Sequence, residues 1–223
     1  MRSAGYVDEE SLDRHAAAWL EEIREAVAPR PHLRLDPDRS ALVVVDMNRY
    51  FAHPRGRCYL PAAGAIAPRV RALADAYRDR GGCVVFTRHG HEGDHDLGTL
   101  GRFFGDRISA REDDAELLDE LGVRDDEPVI AKTTYDAFLR TPLEPILRDR
   151  GIEQVLVAGV LTHMCCETTA RAAFCRGFEV YLPVDALATT TEALHTGALR
   201  GMADALAVAT TSREVIERCA RSR

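Results

Sequence analysis

The stretch GVLTHMCCETTA, residues 159–170, follows the apolar run QVLVA (154–158) and leads into RAAFCRG (171–177). A continuous apolar run of this length, ended by a glycine, reads as a strand buried on both faces. The segment after it predicts a turn and then a helix beginning near Cys165. A strand feeding directly into a helix is the repeating unit of a parallel sheet. A thiol at the start of that helix meets unpaired backbone N–H groups and the positive end of the helix dipole, which favour a thiolate and an oxyanion.

The same alternation extends in both directions. Upstream, ALVVV (41–45), CVVFT (83–87) and PVIAK (128–132) read as strands, separated by helical patterns at 64–80 and at 115–121. Residues 142–150 predict another helix, closed by Gly151. Downstream come strand 178–186 with its loop, helix 192–204, strand 206–211 and a final helix from Arg213. The fold expected is a three-layer α/β/α sandwich around a six-stranded, mostly parallel, Rossmann-like sheet. Residues 88–110, rich in His, Gly and Asp, are long enough to form a functional loop.

On such sheets ligands bind beyond the carboxyl ends of the strands. That rule selects Asp46 after the first strand, Arg88 and His89 after the second, Lys132 at the end of the third, and 161–166 after the fourth. A carboxylate at the mouth of a buried strand suits a proton shuttle, and a nearby cation would lower a thiol pKa.

Three segments resemble, in order and spacing, the Asp–Lys–Cys signature of the isochorismatase-like cysteine hydrolases. They are VVVDMN with Asp46, VIAKTTYDAF with Lys132, and VAGVLTHMCCETTARAAF with Cys165. This superfamily includes nicotinamidases, N-carbamoyl-amide hydrolases and isochorismatases. The resemblance runs from about Ser40 to Val215. It implies that Cys165 attacks a carbonyl carbon, Asp46 moves the proton and Lys132 orients both, through a thioester. It also implies a cis peptide at Val160–Leu161 and an oxyanion hole made by the N–H groups of Leu161 and Cys165. Phe51, Arg88, His89, Tyr135, Phe138 and His163 flank these motifs and are the candidates for substrate contact.

Two departures bear on the substrate. Nicotinamidases often carry a metal-binding Asp-x-His and a second His after the second strand, whereas here His89 stands where that Asp would be, with His91 and His95 following. A thiol nucleophile requires no Lewis acid, so neither a metal nor another cofactor is expected. Isochorismate-cleaving members carry an arginine for a substrate carboxylate, and that position falls on Leu97, with Arg88 or Arg102 as replacements. The expected reaction is cleavage of a C–N bond in a small amide or carbamoyl compound. The alternatives are vinyl-ether hydrolysis releasing pyruvate, and a silent homologue kept for binding.

Composition agrees with a small-molecule enzyme. A net charge of −7 argues against nucleic-acid partners and against a polybasic membrane anchor. The first residues lack the apolar core of a signal peptide, and the six cysteines include no CxxC, so a reduced, cytoplasmic protein is expected. Residues 1–39 read as a helical extension and Pro-rich linker, and 40–223 as the hydrolase domain. The extension's Leu12, Ala16, Leu20, Ile23 and Val27 form a stripe at helical spacing. It must bury against either its own body or a second subunit, and the interface of a homodimer or homotetramer is the expectation.

Overall fold

The computed structural model describes residues 5–221. Strands β1 (Ser40–Val45), β2 (Cys83–His89), β3 (Val129–Lys132), β4 (Gln154–Val160), β5 (Glu179–Pro183), β6 (Leu187–Ala188) and β7 (Ala207–Thr210) form one sheet. Its order is β3-β2-β1-β4-β5-β7, and every pairing within it is parallel. The sheet therefore has seven strands rather than six. The addition is β6, a two-residue strand beyond the end of β5 that pairs with the last two residues of β4. Each residue of β1 and β4 is buried, which is why these two segments are apolar without alternation.

Parallel strands need crossovers, and the helices supply them. These are α2 (Arg49–Ala52), α3 (Pro61–Arg78), α4 (Gly98–Phe104), α5 (Leu143–Arg148), α6 (Glu167–Cys175), α7 (Glu192–Ala205) and α8 (Ser212–Arg221). Helix α3 buries Ile66, Val70, Leu73 and Tyr77, starts with a proline in its first turn and packs on α8. The strand order reverses between β1 and β4, where open α/β sheets open a crevice at the carboxyl edge.

Two elements depart from the sequence expectation. Residues 115–121 do not form an α-helix; 3₁₀ turns at Asp113–Ala115 and Asp119–Leu121 flank an extended stretch. The backbone there is claimed by the chain after β1. The amide of Asn48 donates to Ala115 O (2.7 Å), Arg49 N donates to Glu116 O (2.7 Å) and Leu118 N donates to Met47 O (3.0 Å). Long-range bonds have replaced the helical ones. Residues 88–110, expected to be irregular throughout, contain the short helix α4.

The N-terminal helix, α1 (Leu12–Ala26), buries Leu12, Ala16, Trp19, Leu20 and Ile23 within its own chain, against α7, β7 and the turn after β5. The stripe read as a subunit contact is thus already covered. Burying one such aliphatic side chain is worth on the order of 1.5–3 kcal/mol, so the helix is held by its own body. Salt bridges Arg200–Glu22 (3.1 Å) and Arg69–Asp13 (2.8 Å) border it. Among the described residues, no helix is long and apolar enough to cross a membrane.

Candidate active site

At the reversal point the end of β4 leaves no room for a side chain beside β1. Gly159 pairs with Val45 at φ 111°, and a Cβ there would meet the Val45 carbonyl oxygen at 2.1 Å. Only glycine fits. One residue on, Asp46 takes a left-handed backbone (φ 48°), uncommon for a non-glycine and found where surroundings enforce it. Thr87 of β2 enforces it here. Asp46 N donates to the Thr87 carbonyl and to its Oγ1 (both 3.2 Å), and the Thr87 hydroxyl returns a bond to Asp46 Oδ1 (2.7 Å).

The other carboxylate oxygen, Oδ2, lies 2.5 Å from Lys132 Nζ. That ammonium donates to Thr134 O (2.8 Å) and to Cys165 Sγ (3.4 Å), and it meets Oδ2 as an ion pair rather than through a hydrogen bond. Asp46, Lys132 and Cys165 are buried. Burial works against the charge on Lys132, but the Asp46 carboxylate and the sulfur beside it overturn that and raise its pKa above the ordinary value. Cys165 goes the other way from the sequence expectation. Burial pushes its thiol up to about 12, the Lys132 cation only partly offsets this, and Asp46 adds to the rise. Burial therefore favours the neutral thiol beside the Lys132–Asp46 ion pair.

The backbone that carries Cys165 also differs from a simple helix start. Thr162–Cys166 form a π-helical turn, followed by α6, so the winding begins three residues before Cys165. The Leu161 carbonyl accepts from both Met164 N (3.0 Å) and Cys166 N (3.2 Å). The Val160–Leu161 peptide is cis. Cys166 is fully buried, and burial raises its thiol well above the ordinary value.

Cys165 opens onto a cavity of about 350 Å³ whose walls are mainly apolar. Of the substrate-contact candidates, Phe51, Tyr135 and His89 line it, and so does Leu161. Three other candidates do not. Arg88 follows the opposite face of β2 from His89 and pairs with Glu116 (2.7 Å). Phe138 is core: its ring stacks on Phe178 (6.0 Å) with the Arg176 guanidinium over it (4.8 Å). His163 turns aside to Thr189 Oγ1 (2.6 Å). The replacement clamp Arg102 is also outside, exposed and bonded to Thr99 (3.3 Å).

Residues 40–214 match the isochorismatase domain family. The chain belongs to that family. It is 38% identical to nicotinamidase 3 of Arabidopsis thaliana over 167 residues, 74% of this chain and 80% of that protein. It is 31% identical over 169 residues to enterobactin synthase component B of Escherichia coli, covering 75% of this chain and 59% of the relative. Among solved structures, a cysteine hydrolase from Pseudomonas syringae pv. phaseolicola superposes with TM-score 0.83 at 27% identity, covering 88% of this chain and 99% of the other. The protein is an isochorismatase-family hydrolase.

The metal that some family members hold after the second strand has no matching donor set here. His91 Nδ1 lies 3.2 Å from the Asp96 carbonyl and 3.5 Å from Asp96 Oδ1, and His95 is exposed. Among the described residues no three His, Cys, Asp or Glu side chains converge to hold a metal ion. His89 instead stands in the pocket wall with no hydrogen-bond partner on Nδ1. Burial and the Lys132 cation depress its pKa to about 4, so its ring is neutral at ordinary pH.

Several wall residues were not legible as site residues. Tyr50, Leu100, Phe104, Ile108 and Met164 are apolar or aromatic and carry no chemical signature in a sequence. Tyr50 is fixed by its hydroxyl, which donates to Asp106 (2.9 Å). Thr87, which holds Asp46, sits in the apolar run 83–87 and could have been found as its one hydroxyl near the strand's end.

Proposed function

We propose that this hydrolase cleaves the C–N bond of a small, uncharged amide or carbamoyl compound, with Cys165 as nucleophile, Asp46 as proton shuttle and Lys132 as the group that orients both. The observation that carries the reading is the buried Lys132 ammonium shared between Asp46 Oδ2 and Cys165 Sγ on the floor of an apolar pocket.

A neutral thiol needs a base at the moment of attack. Sγ bonds to the carbonyl carbon as its proton passes to Asp46, and the carbonyl π pair becomes an oxyanion. The N–H groups of Leu161 and Cys165 stabilise that oxyanion. Collapse re-forms the C=O bond and breaks C–N while Asp46 protonates the departing nitrogen. The thioester is then hydrolysed by a water that gives a proton to Asp46, and that proton returns to the sulfur. Lys132 keeps its charge throughout, offsetting the carboxylate whenever Asp46 is ionised.

The preference for an uncharged amide over isochorismate follows from the wall. Arg107 is the cation among the lining residues, and its guanidinium is already paired with Asp94, while Asp106 adds negative charge to the same wall. Position 97 is leucine. A substrate with carboxylates gains little there, whereas a flat neutral ring or short chain fits between Phe51, Tyr135 and Met164. The 38% identity to a nicotinamidase supports the same class.

A panel of aromatic amides, aliphatic amides, N-carbamoyl compounds and isochorismate, followed by ammonia and pyruvate assays, tests the reading. Ammonia or amine release, with an acyl adduct on Cys165 in the quenched protein, is expected. Pyruvate release from isochorismate by the Cys165→Ala variant at the native rate would overturn it.

A further inference from the structure

The segment before Ser40 lies outside the part of the chain that matches the family, yet it reaches the nucleophile's turn by two routes. In the first, Trp19 of α1 sets its ring edge-on to His195 of α7, with centroids 4.5 Å apart, and His195 Nδ1 is 2.9 Å from Thr162 Oγ1. Thr162 is the first residue of the turn that carries Cys165. In the second, the Tyr6 hydroxyl accepts from Thr189 N (3.3 Å), and Thr189 Oγ1 is 2.6 Å from His163 Nδ1 in the same turn.

The two routes are tied together. Tyr6 lies 6.1 Å from Trp19 and 5.9 Å from His195 between ring centroids. Glu192, the first residue of α7, accepts from Trp19 Nε1 (2.8 Å) and meets His15 Nδ1 (3.1 Å). The arm thus grips the start of α7 and, through it, one side chain at each of two consecutive turn positions. Trp19, His195, Thr162 and Thr189 are all buried, so a change in one is passed on by packing rather than absorbed by solvent.

We propose that the N-terminal arm is a positioning element of the active site: Tyr6 and Trp19, acting through Thr189 and His195, hold the Thr162–Cys166 turn so that Cys165 stays in register with Asp46 and Lys132. The four are positioning residues. The inference rests on Cys165 being the reactive thiol, but not on any particular substrate.

The test uses the full chain with Trp19→Leu, which removes the indole from His195, and Thr162→Val, which keeps shape and removes the hydroxyl. Iodoacetamide labelling is followed residue by residue by mass spectrometry. Exposed Cys175 controls for the reagent and buried Cys219 reports unfolding. Both variants are expected to slow labelling of Cys165 by roughly tenfold or more, since small displacements at a reacting pair are costly. Cys175 should be unchanged and Cys219 protected. With any accepted substrate, kcat should fall while KM holds.

A Cys165 rate equal to or above that of the native chain in both variants overturns the proposal. So does labelling of Cys165 and Cys219 together, which would mean that the arm holds the fold and not the turn. Retained turnover in Cys165→Ala would sink the nucleophile assignment instead, a separate result.

Discussion

The Lys132 ammonium lies 3.4 Å from Cys165 Sγ, yet burial pushes the thiol up to about 12, above rather than below its ordinary value. A cation lowers a thiol pKa only by as much as it outweighs desolvation. Here its charge is already shared with Asp46 at 2.5 Å, and the sulfur is buried. In the proposed mechanism the pair therefore supplies a base for the thiol rather than a standing thiolate. Cys165 should show no ionisation near neutral pH. Thiolate absorbance at 240 nm, measured against Cys165→Ala, should give no step for this residue between pH 6 and 9; a step there would refute the neutral resting state.

Asp46→Asn removes the proposed base and leaves Lys132 without its counter-charge. Turnover should fall by about 10²–10⁴-fold, the usual worth of a positioned acid–base group. Stability should fall by roughly 3–5 kcal/mol, because an unpaired buried charge remains. The double variant with Lys132→Met should regain part of that stability and none of the activity. The native pair has a defined alkaline limit. Lys132 is raised by Asp46, so its contribution is intact below the unfolded value of 10.5 and is lost as pH rises through the folded one. Chemical denaturation at pH 7 and at pH 11 checks both statements.

Cys165 and Cys166 separate cleanly. Cys165 opens onto the pocket, whereas Cys166, the next residue of the π-helical turn, is fully buried. Cys165→Ala should abolish turnover and any acyl adduct. Cys166→Ala should keep most activity and lose about 1 kcal/mol of stability. Equal loss of activity in two folded variants would contradict this division.

The histidines predict an acid limit. His89 and His195 are both neutral in the fold, with pKa values near 4 against an ordinary 6.5, chiefly through burial. Between these values the unfolded chain binds protons that the native chain does not, so stability falls as pH drops from about 6.5 to about 4. Each residue contributes roughly 3 kcal/mol to that fall. Melting temperatures measured from pH 7 to pH 4 should decline more steeply for the native protein than for His195→Gln. Parallel curves would show that this ring is not the source.

The fold, and the position of Asp46, Lys132 and the 161–166 segment at strand ends, could be read in the sequence, while the resemblance to the Asp–Lys–Cys signature singled out the three. Uninterrupted apolar runs such as ALVVV and QVLVA mark buried parallel strands, and strand ends are where such sheets carry chemistry. What could not be read depended on contacts distant in the chain. AELLDEL has a helical pattern, but residues 47–49 take its backbone hydrogen bonds. Arg88 and His89 are adjacent and both polar, and only strand direction decides which enters the pocket. Trp19 escaped notice because an aromatic on an amphipathic helix looks like ordinary core. Its partner, His195, is 176 residues away, a separation that no local pattern encodes.

His89 yields the prediction that bears most directly on substrate. It stands at the end of β2, in register with Lys132 of β3, so it lies beside the reacting groups. Nδ1 has no partner, and a buried polar atom without one loses about 1–3 kcal/mol that a bound ligand can restore. A neutral imidazole presents one donor and one acceptor, which suits a ring nitrogen or a second carbonyl on the substrate. His89→Leu should therefore raise KM by roughly 10–100-fold for amides carrying such a polar atom. For amides whose remaining group is purely apolar, KM should change little, and kcat should be nearly constant for both. His95 is exposed and lies outside the pocket wall, so its replacement by alanine should leave the ratio of the two substrate classes unchanged, and a chelator should not alter it. Equal loss on both classes would show that His89 serves the fold or the chemistry rather than recognition. A chelator-sensitive ratio restored by zinc would make it a metal ligand.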